Sequence, residues 1–140
     1  TMQVTVNPAV NQAPTANAGL DQNSTLPTNA FSLNGSGTDP DGTISAYLWT
    51  KISGPTGGTI TNSASATTSV TGLTQGVYKF QLKVTDNSGV TDMDTMQVTV
   101  SPSLNSAPTA NAGLDQHITL PTIAVSLNGS GTEPDGPISA

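Results

Sequence analysis

Cysteine and arginine are absent from this sequence, and lysine occurs only three times, as Lys51, Lys79 and Lys83. Without cysteine the chain has no disulfide, no thiolate metal site and no thiol nucleophile. Nine acidic residues give a formal net charge of −6. A chain with so few cations cannot neutralise many phosphates, so we expect no nucleic-acid partner and no attraction to anionic membrane surfaces.

Long apolar runs and helical patterns are also missing. No stretch approaches the ~18 apolar residues that cross a bilayer, so we expect no membrane insertion. An apolar period of 3.6 is not found, and the 14 glycines and 10 prolines interrupt most of the chain. Abundant Ser, Thr, Asn and Gly with only 9% charged residues are typical of β-rich secreted repeats.

The chain repeats itself with an offset of 94 residues. Residues 1–46 align without a gap to residues 95–140, and 36 of the 46 positions are identical. Phe31 becomes Val125 and Asp39 becomes Glu133, so these substitutions keep the apolar or acidic character. We therefore expect a tandem array of 94-residue repeats, with one repeat and part of others in this chain.

Catalytic groups are scarce. The one histidine, His117, has Asn23 at its equivalent place in the other copy, which is unexpected for a catalytic residue. One Trp, two Tyr and two Phe are too few to line a sugar-binding cleft, which argues against a paired-carboxylate glycosidase. We predict that the chain is not an enzyme and has no catalytic residue.

Alternating apolar and polar residues predict β-strands. In "GVYKFQLKVTD" (76–86) every second residue is apolar, which is the pattern of a strand with one buried face. Similar segments lie at 31–33, 43–52, 67–73 and 94–100, and turn sequences such as "DPDG" and "DNSG" separate them. Six or seven such strands predict a two-sheet antiparallel sandwich with Trp49 in its core and Tyr78 as a tyrosine corner.

The repeat sets the expected domain boundaries. Residues 1–6 ("TMQVTV") are expected to be the last strand of a preceding repeat, and 13–100 a complete sandwich. Residues 107–140 are expected to be the N-terminal part of the next repeat. The segments 7–12 and 101–106 contain proline and are expected to be short, stiff linkers.

The sequence "APTANAGLDQ…LNGSGTDPDGTISAYLW…SGP…GLTQGVYKFQLKVTD" resembles the PKD (polycystic kidney disease) family of immunoglobulin-like domains. The likeness covers residues 13–100 and resumes at 107–140, and it is greatest to a bacterial subgroup with "W…SGP" after the third strand. Other PKD domains have D-F-G-D-G after the Trp, where this chain has "TKISGP". The resemblance implies an all-β sandwich, an extracellular location and no chemistry of its own.

The stretch "DPDG" (39–42) has a preferred residue at each position of a type I turn. Its two carboxylates also suggest a calcium site, because calcium binds several oxygen ligands. In a sandwich this loop, the "TDNSG" loop (85–89) and the N-terminal linker lie at one end. Calcium binds at this end in some PKD domains, so the resemblance supports a ligand set of Asn11, Asp39, Asp41 and Asp86. The second copy is Asn105, Glu133 and Asp135.

The pattern as a whole predicts a structural and adhesive role. We expect a repeat of a long exported bacterial surface protein or extracellular fibre that extends a stalk, with calcium at its interdomain joints. The expected partners are neighbouring repeats of the same chain, like chains in a fibre, and cell-surface or polysaccharide ligands. Two alternatives stay open: a spacer or carbohydrate-binding accessory domain of a secreted polysaccharide-degrading enzyme, and a subunit of a self-assembling extracellular filament.

Overall fold

The computed structural model describes residues 1–136, and within them every regular element is a β-strand. The chain divides into two compact units, Thr1–Ser103 and Leu104–Ala140. Residues 1–136 form no helix, so they contain none that is long and apolar enough to cross a membrane.

The first unit contains nine strands. They are β1 (Thr15–Asn17), β2 (Gln22–Thr25), β3 (Phe31–Asn34), β4 (Ser36–Thr38), β5 (Ile44–Ser53), β6 (Thr59–Ile60), β7 (Thr67–Thr71), β8 (Gly76–Asp86) and β9 (Thr91–Ser101). All the strands predicted between residues 31 and 100 are present. The additional ones, such as β1, β4 and β6, have two or three residues and carry too little periodicity to be recognised.

Two sheets face each other across the core. One sheet has four strands in the order β2-β9-β8-β5, and the other has three in the order β3-β7-β6. A separate pair joins β1 to β4. The predicted all-β sandwich is confirmed, with one departure from an all-antiparallel arrangement: β2 runs parallel to β9, with Gln22 opposite Val98.

Alternate residues of the long strands fill the space between the sheets. In β8 the side chains of Tyr78, Phe80, Leu82 and Val84 are fully buried, as their period-2 spacing predicts. The rings of Tyr78 and Phe80 stack with centroids 6.3 Å apart. The other main contributors to the core are Leu33, Trp49, Val70, Leu73, Met96, Val98 and Val100.

Polar atoms of the two largest core residues have partners. The indole Nε1 of Trp49 donates to the carbonyl of Ala66 at 3.0 Å, which ties the four-stranded sheet to the segment before β7. The hydroxyl of Tyr78 donates to the carbonyl of Thr74 at 3.2 Å and accepts from its backbone N–H at 3.0 Å. The predicted tyrosine corner is therefore present, and it fixes the connection that leads into β8.

The second unit contains two described strands, β10 (Thr109–Asn111) and β11 (Ser130–Thr132). They pair with Ala110 opposite Gly131, and the corresponding pair in the first unit is Ala16 opposite Gly37. Local geometry therefore recurs at the offset of 94 residues. Burial does not recur, because Leu33 is fully buried whereas Leu127 is 85% exposed.

Residues 1–6 have no strand neighbour in this structure, so their assignment to the last strand of a preceding repeat stays a prediction. These residues have the same sequence as 95–100, which lie in β9, yet Met2 is 91% exposed and Met96 is 1% exposed. A strand needs a neighbour to take its backbone hydrogen bonds. Residues 95–100 have β8 as that neighbour, whereas 1–6 are exposed and unpaired in this structure.

Candidate functional site

The end of the first unit that holds the "DPDG" loop also holds the linker and the β8–β9 loop. The side chain of Asn11 donates to Oδ2 of Asp86 at 2.8 Å, across 75 residues of sequence. The backbone N–H of Gln12 donates to both carboxylate oxygens of Asp41, at 3.2 and 3.1 Å. The structure thus brings the three predicted segments together, and the linker is fastened to both loops. We call this end, formed by residues 11–12, 39–43 and 85–90, the linker clamp.

Asp86 is the buried centre of the linker clamp. Only 1% of its surface is exposed, and its Oδ1 accepts the backbone N–H groups of Ser88 and Val90, both at 2.8 Å. The hydrogen bond from Asn11, supported by these backbone amides and that of Gly89, lowers the pKa of Asp86 although burial opposes the shift. The carboxylate therefore holds the β8–β9 loop closed from within.

The "DPDG" loop is closed by a side chain. The chain bends at residues 40–42, and the backbone N–H of Asp41 donates to Oδ1 of Asp39 at 3.3 Å. Aspartate commonly closes a turn in this way, by accepting from the backbone two residues on. The other oxygen of Asp39, Oδ2, is buried, and it is the one buried side-chain polar atom in residues 1–136 without a hydrogen-bond partner.

Asn87 and Gly42 also belong to the linker clamp, although the sequence did not single them out. The side-chain oxygen of Asn87 accepts from the backbone N–H of Thr43 at 2.9 Å. The backbone N–H of Asn87 donates to the carbonyl of Thr43, also at 2.9 Å. A Cβ at position 42 would overlap Oδ1 of Asn87 and lie 2.5 Å from Oδ2 of Asp39. A side chain at position 42 would therefore displace the ends of Asn87 and Asp39 where the two loops touch, and the recurring "DG" of the repeat is the signal that would have suggested it.

The predicted calcium ligands are close together, but most of their oxygens already accept N–H groups. Asp86 and Asp41 are hydrogen-bonded through both oxygens, and Asn11 points its amide nitrogen at Asp86. Among residues 1–136 no group of three or more acidic or histidine side chains has the spacing of a metal site. Carboxylate and amide oxygens are ligands of the type that calcium prefers, and Oδ2 of Asp39 is a buried oxygen of this set without a hydrogen-bond partner.

Part of the linker clamp recurs in the second unit. The backbone N–H of Ser106 donates to Oδ2 of Asp135 at 2.6 Å, which corresponds to the contact between Gln12 and Asp41. Asn105 donates to the carbonyl of Ser106 at 3.3 Å. Glu133 occupies the position of Asp39, and a counterpart of Asp86 would fall 94 residues further on, beyond this sequence.

A second group of carboxylates joins β1 to β9. Oδ2 of Asp92 accepts the backbone N–H of Ala16, and Oδ2 of Asp94 accepts that of Ala18, both at 2.8 Å. Asp92 and Asp94 lie in a strand, where acidic side chains often protect an exposed sheet edge from unwanted pairing. They instead replace backbone carbonyls as acceptors along that edge, so the edge is occupied by the chain itself. We call these two contacts the carboxylate seam.

The comparisons with known proteins agree with this fold. The sequence model of the family described as "K319L-like, PKD domain" matches residues 18–100. The mouse (Mus musculus) "Dyslexia-associated protein KIAA0319-like protein" is 36% identical over 137 residues, which cover 96% of this chain and 13% of that protein. The chain therefore spans only a small part of this curated relative.

Solved PKD domains have the same architecture. The PKD domain of the KIAA 1837 protein is 34% identical, with a TM-score of 0.60 over 74% of this chain and 98% of that one. The PKD1 domain of Vibrio anguillarum Epp is 28% identical, with a TM-score of 0.52 over 66% of this chain and 99% of that one. PKD domains are extracellular, non-catalytic modules of the adhesion type. On the sequence match and the shared sandwich, this chain belongs to the PKD domain family, in its K319L-like group.

Proposed function

We propose that this chain is a structural and adhesive repeat of a long exported bacterial surface protein or extracellular fibre. Its task is to extend a stalk from the cell surface. Neighbouring repeats of the same chain are its first partners, and the ligand bound at the end of the stalk is a cell-surface or polysaccharide group. The proposal needs no catalytic residue.

The linker clamp is the observation that carries this proposal. Asn11 and Gln12 are hydrogen-bonded to Asp86 and Asp41, so the direction in which the linker enters the first unit is fixed. Ser106 and Asp135 repeat one of these contacts in the second unit. A repeat whose entry segment is fastened to its own loops transmits orientation along an array better than one joined by a free tether.

Small-angle scattering from chains of two, three and four complete 94-residue repeats tests the stalk. We expect the maximum dimension to grow linearly by roughly 35–40 Å per repeat, the length of about ten strand residues plus a short linker. Replacing both Asp41 and Asp86 by alanine in each repeat should release the linkers and shorten the longer arrays. Compact wild-type particles whose dimension does not grow linearly would rule out the stalk.

Calcium at the linker clamp is a further part of the proposal. It is supported by the partnerless Oδ2 of Asp39 and by the retention of an acid, Glu133, in the second copy. The ligands proposed are Asn11, Asp39, Asp41 and Asp86, where the ion would neutralise clustered carboxylates. Thermal melting of two complete repeats with calcium and with chelator is the test. A rise of several degrees with calcium supports the ion, and equal midpoints exclude it.

Two other functions remain to be distinguished. A carbohydrate-binding accessory domain of the common kind would present surface aromatics, but Trp49, Tyr78 and Phe80 are all buried. A self-assembling filament would require contacts between separate chains, and light scattering over a range of concentrations detects them. Constant mass favours the stalk, whereas growth with concentration favours the filament.

A further inference from the structure

The outer face of the four-stranded sheet has a different charge from the rest of the molecule. The outward side chains of its three long strands include two cations, Lys79 and Lys83, and no acid. The third lysine, Lys51, is engaged elsewhere, because it donates to the carbonyls of Pro55 and Gly57 and lies 5.1 Å from the ring of Tyr78. The strands of this face therefore form a cationic area, with Asp21 at its margin beside Lys79, on a chain of net charge −6.

The acidic residues of the first unit are used for internal hydrogen bonds. All six accept an N–H group within the unit, either at the linker clamp, along the carboxylate seam or, for Asp21, from the backbone of Gln97 at 2.7 Å. The residues concerned are Asp21, Asp39, Asp41, Asp86, Asp92 and Asp94. Within the first unit neither Lys79 nor Lys83 donates a side-chain hydrogen bond, whereas Lys51 donates two, which leaves the ammonium groups of Lys79 and Lys83 for a partner.

Uncharged side chains flank the two lysines in register, and they are polar around Gln81 and Lys79 but apolar beside Lys83. Gln81 lies between Thr50 of β5 and Thr95 of β9, and Lys79 lies opposite Gln97. Lys83 lies between Leu48 and Met93, which are 42% and 51% exposed. Four residues of strand place the two lysine Cα atoms roughly 13 Å apart on one surface. The face thus offers two cations with hydroxyl and amide groups between them.

A shallow cavity of about 270 Å³ lies beside Lys79. It is lined by Asp21, Lys79, Thr95, Met96 and Gln97. A carboxylate, an ammonium and a hydroxyl around one small cavity can bind a group that carries both hydroxyls and a negative charge. A uronic acid unit of a polysaccharide has this combination, whereas an acidic peptide lacks the hydroxyls.

We propose that the outer face of β5, β8 and β9 binds an acidic polysaccharide of the polyuronate class, with carboxylates at Lys79 and Lys83. Hydroxyl groups of the sugar are bound by Gln81, Thr95 and Gln97. A flat face with spaced cations fits an extended polyanion better than a peptide, which would need a groove or a free strand edge. This inference is independent of the stalk, since it concerns one sheet face of a single unit.

The net negative charge does not prevent such binding. At physiological salt the Debye length is about 8 Å, so charges further away than this are largely screened and the groups on the face dominate. The same screening makes the binding sensitive to added salt. Exposed ion pairs are individually weak, and several of them along a polymer are needed for measurable affinity.

Affinity electrophoresis of the 140-residue chain in gels containing polygalacturonate tests the inference. We expect retardation at about 0.15 M salt that is lost at high salt, and none in gels containing neutral dextran. The double variant Lys79→Gln/Lys83→Gln should bind about tenfold more weakly, the loss expected for two exposed ion pairs. The matched control Lys79→Arg/Lys83→Arg keeps both charges and should bind like the wild type.

Three results would overturn the inference. They are no retardation of the wild type, equal retardation of the Gln and wild-type chains, and binding to poly-glutamate as strong as to polygalacturonate. The last would mean that an acidic peptide is the ligand.

Equal melting temperatures of the variants exclude misfolding as the cause of weaker binding. The variant Gln81→Ala, which keeps both lysines, should weaken polygalacturonate binding because it removes a group that binds sugar hydroxyls. Failure of any of these leaves the scattering test of the stalk unaffected.

Discussion

Asn11 and Asp86 are joined by a hydrogen bond of 2.8 Å between a linker and a loop that are 75 residues apart in sequence. This contact lowers the pKa of Asp86 more than any one of the three backbone amides that also act on it. Folded and unfolded states therefore bind a proton at this carboxyl with different strength. The stability of the first unit must depend on pH through this pair.

The first prediction follows from that pKa. Because the pKa of Asp86 is lower in the folded state, its stabilising effect is complete above the pKa of the unfolded chain, about 4. It is lost as the pH falls through the lower folded-state value. Urea denaturation at stepwise decreasing pH should show stability falling below about pH 4. NMR titration of the Asp86 carboxyl should give a higher pKa in Asn11→Ala than in the wild type, because the hydrogen bond that lowers it is gone. The control Asn105→Ala, at the equivalent residue of the second copy, should leave the pKa of Asp86 unchanged.

The tyrosine corner gives the second prediction. Tyr78→Phe removes a buried hydroxyl that bonds to both the N–H and the carbonyl of Thr74. We expect a loss of about 1–2 kcal/mol in the free energy of unfolding, measured by urea denaturation with an unchanged slope. Tyr47→Phe, at a half-buried tyrosine, is the control and should change stability by less than about 0.5 kcal/mol. Equal effects of the two variants would contradict the assignment.

The carboxylate seam gives the third prediction. Asp94→Ala leaves the backbone N–H of the fully buried Ala18 without its acceptor. An unsatisfied buried donor costs about 1–3 kcal/mol, so the melting temperature should fall. Hydrogen exchange should accelerate at residues 15–19 before the rest of the unit. The exposed Asp115→Ala in the second unit is the control. Unchanged exchange in Asp94→Ala would show that the seam does not hold β1.

The fourth prediction compares the same residue in two units. A Cβ on Gly35 would lie 2.5 Å from Cδ2 of Leu82 and 2.7 Å from Cζ2 of Trp49. Gly35→Ala should therefore destabilise the first unit by about 1–3 kcal/mol through overpacking. At the equivalent Gly129 the nearest atom is the Asn111 carbonyl oxygen at 3.3 Å, so Gly129→Ala should have little effect. Thermal denaturation followed by Trp49 fluorescence measures the effect in the first unit, and hydrogen exchange at residues 109–111 and 130–132 measures the effect in the second.

The long strands and the core were predictable because their periodicity is strong. Tyr78 and Phe80 were assigned to the core from alternation and Trp49 from its place in the predicted sandwich, and all three are buried. The linker clamp was also foreseen, since sandwich topology places Asn11, Asp41 and Asp86 at one end. The chemistry of those side chains was less predictable, because the same carboxylate can bind an ion or accept an N–H group.

The sequence did not predict the hydrogen bonds between side chains of β9 and the backbone of residues 16–18. Nothing in a single sequence indicates that Asp92 and Asp94 accept the backbone N–H groups of Ala16 and Ala18. The parallel pairing of β2 with β9 was missed for a similar reason. Four residues with the sequence "QNST" have no apolar alternation, and their position depends on the neighbouring strand.

The hexapeptide "TMQVTV" occurs twice with unlike outcomes, exposed at 1–6 and within β9 at 95–100. Because the two copies have the same sequence, they offer β8 identical side chains, and side-chain packing cannot favour one copy over the other. During synthesis or refolding, either copy is able to dock beside β8, and the wrong choice yields a domain-swapped or misassembled product. Local concentration favours the later copy, which follows β8 after a loop of only four residues, 87–90. The short loop between β8 and β9 thus favours correct pairing of β8 with residues 95–100 over pairing with an identical segment elsewhere in the chain.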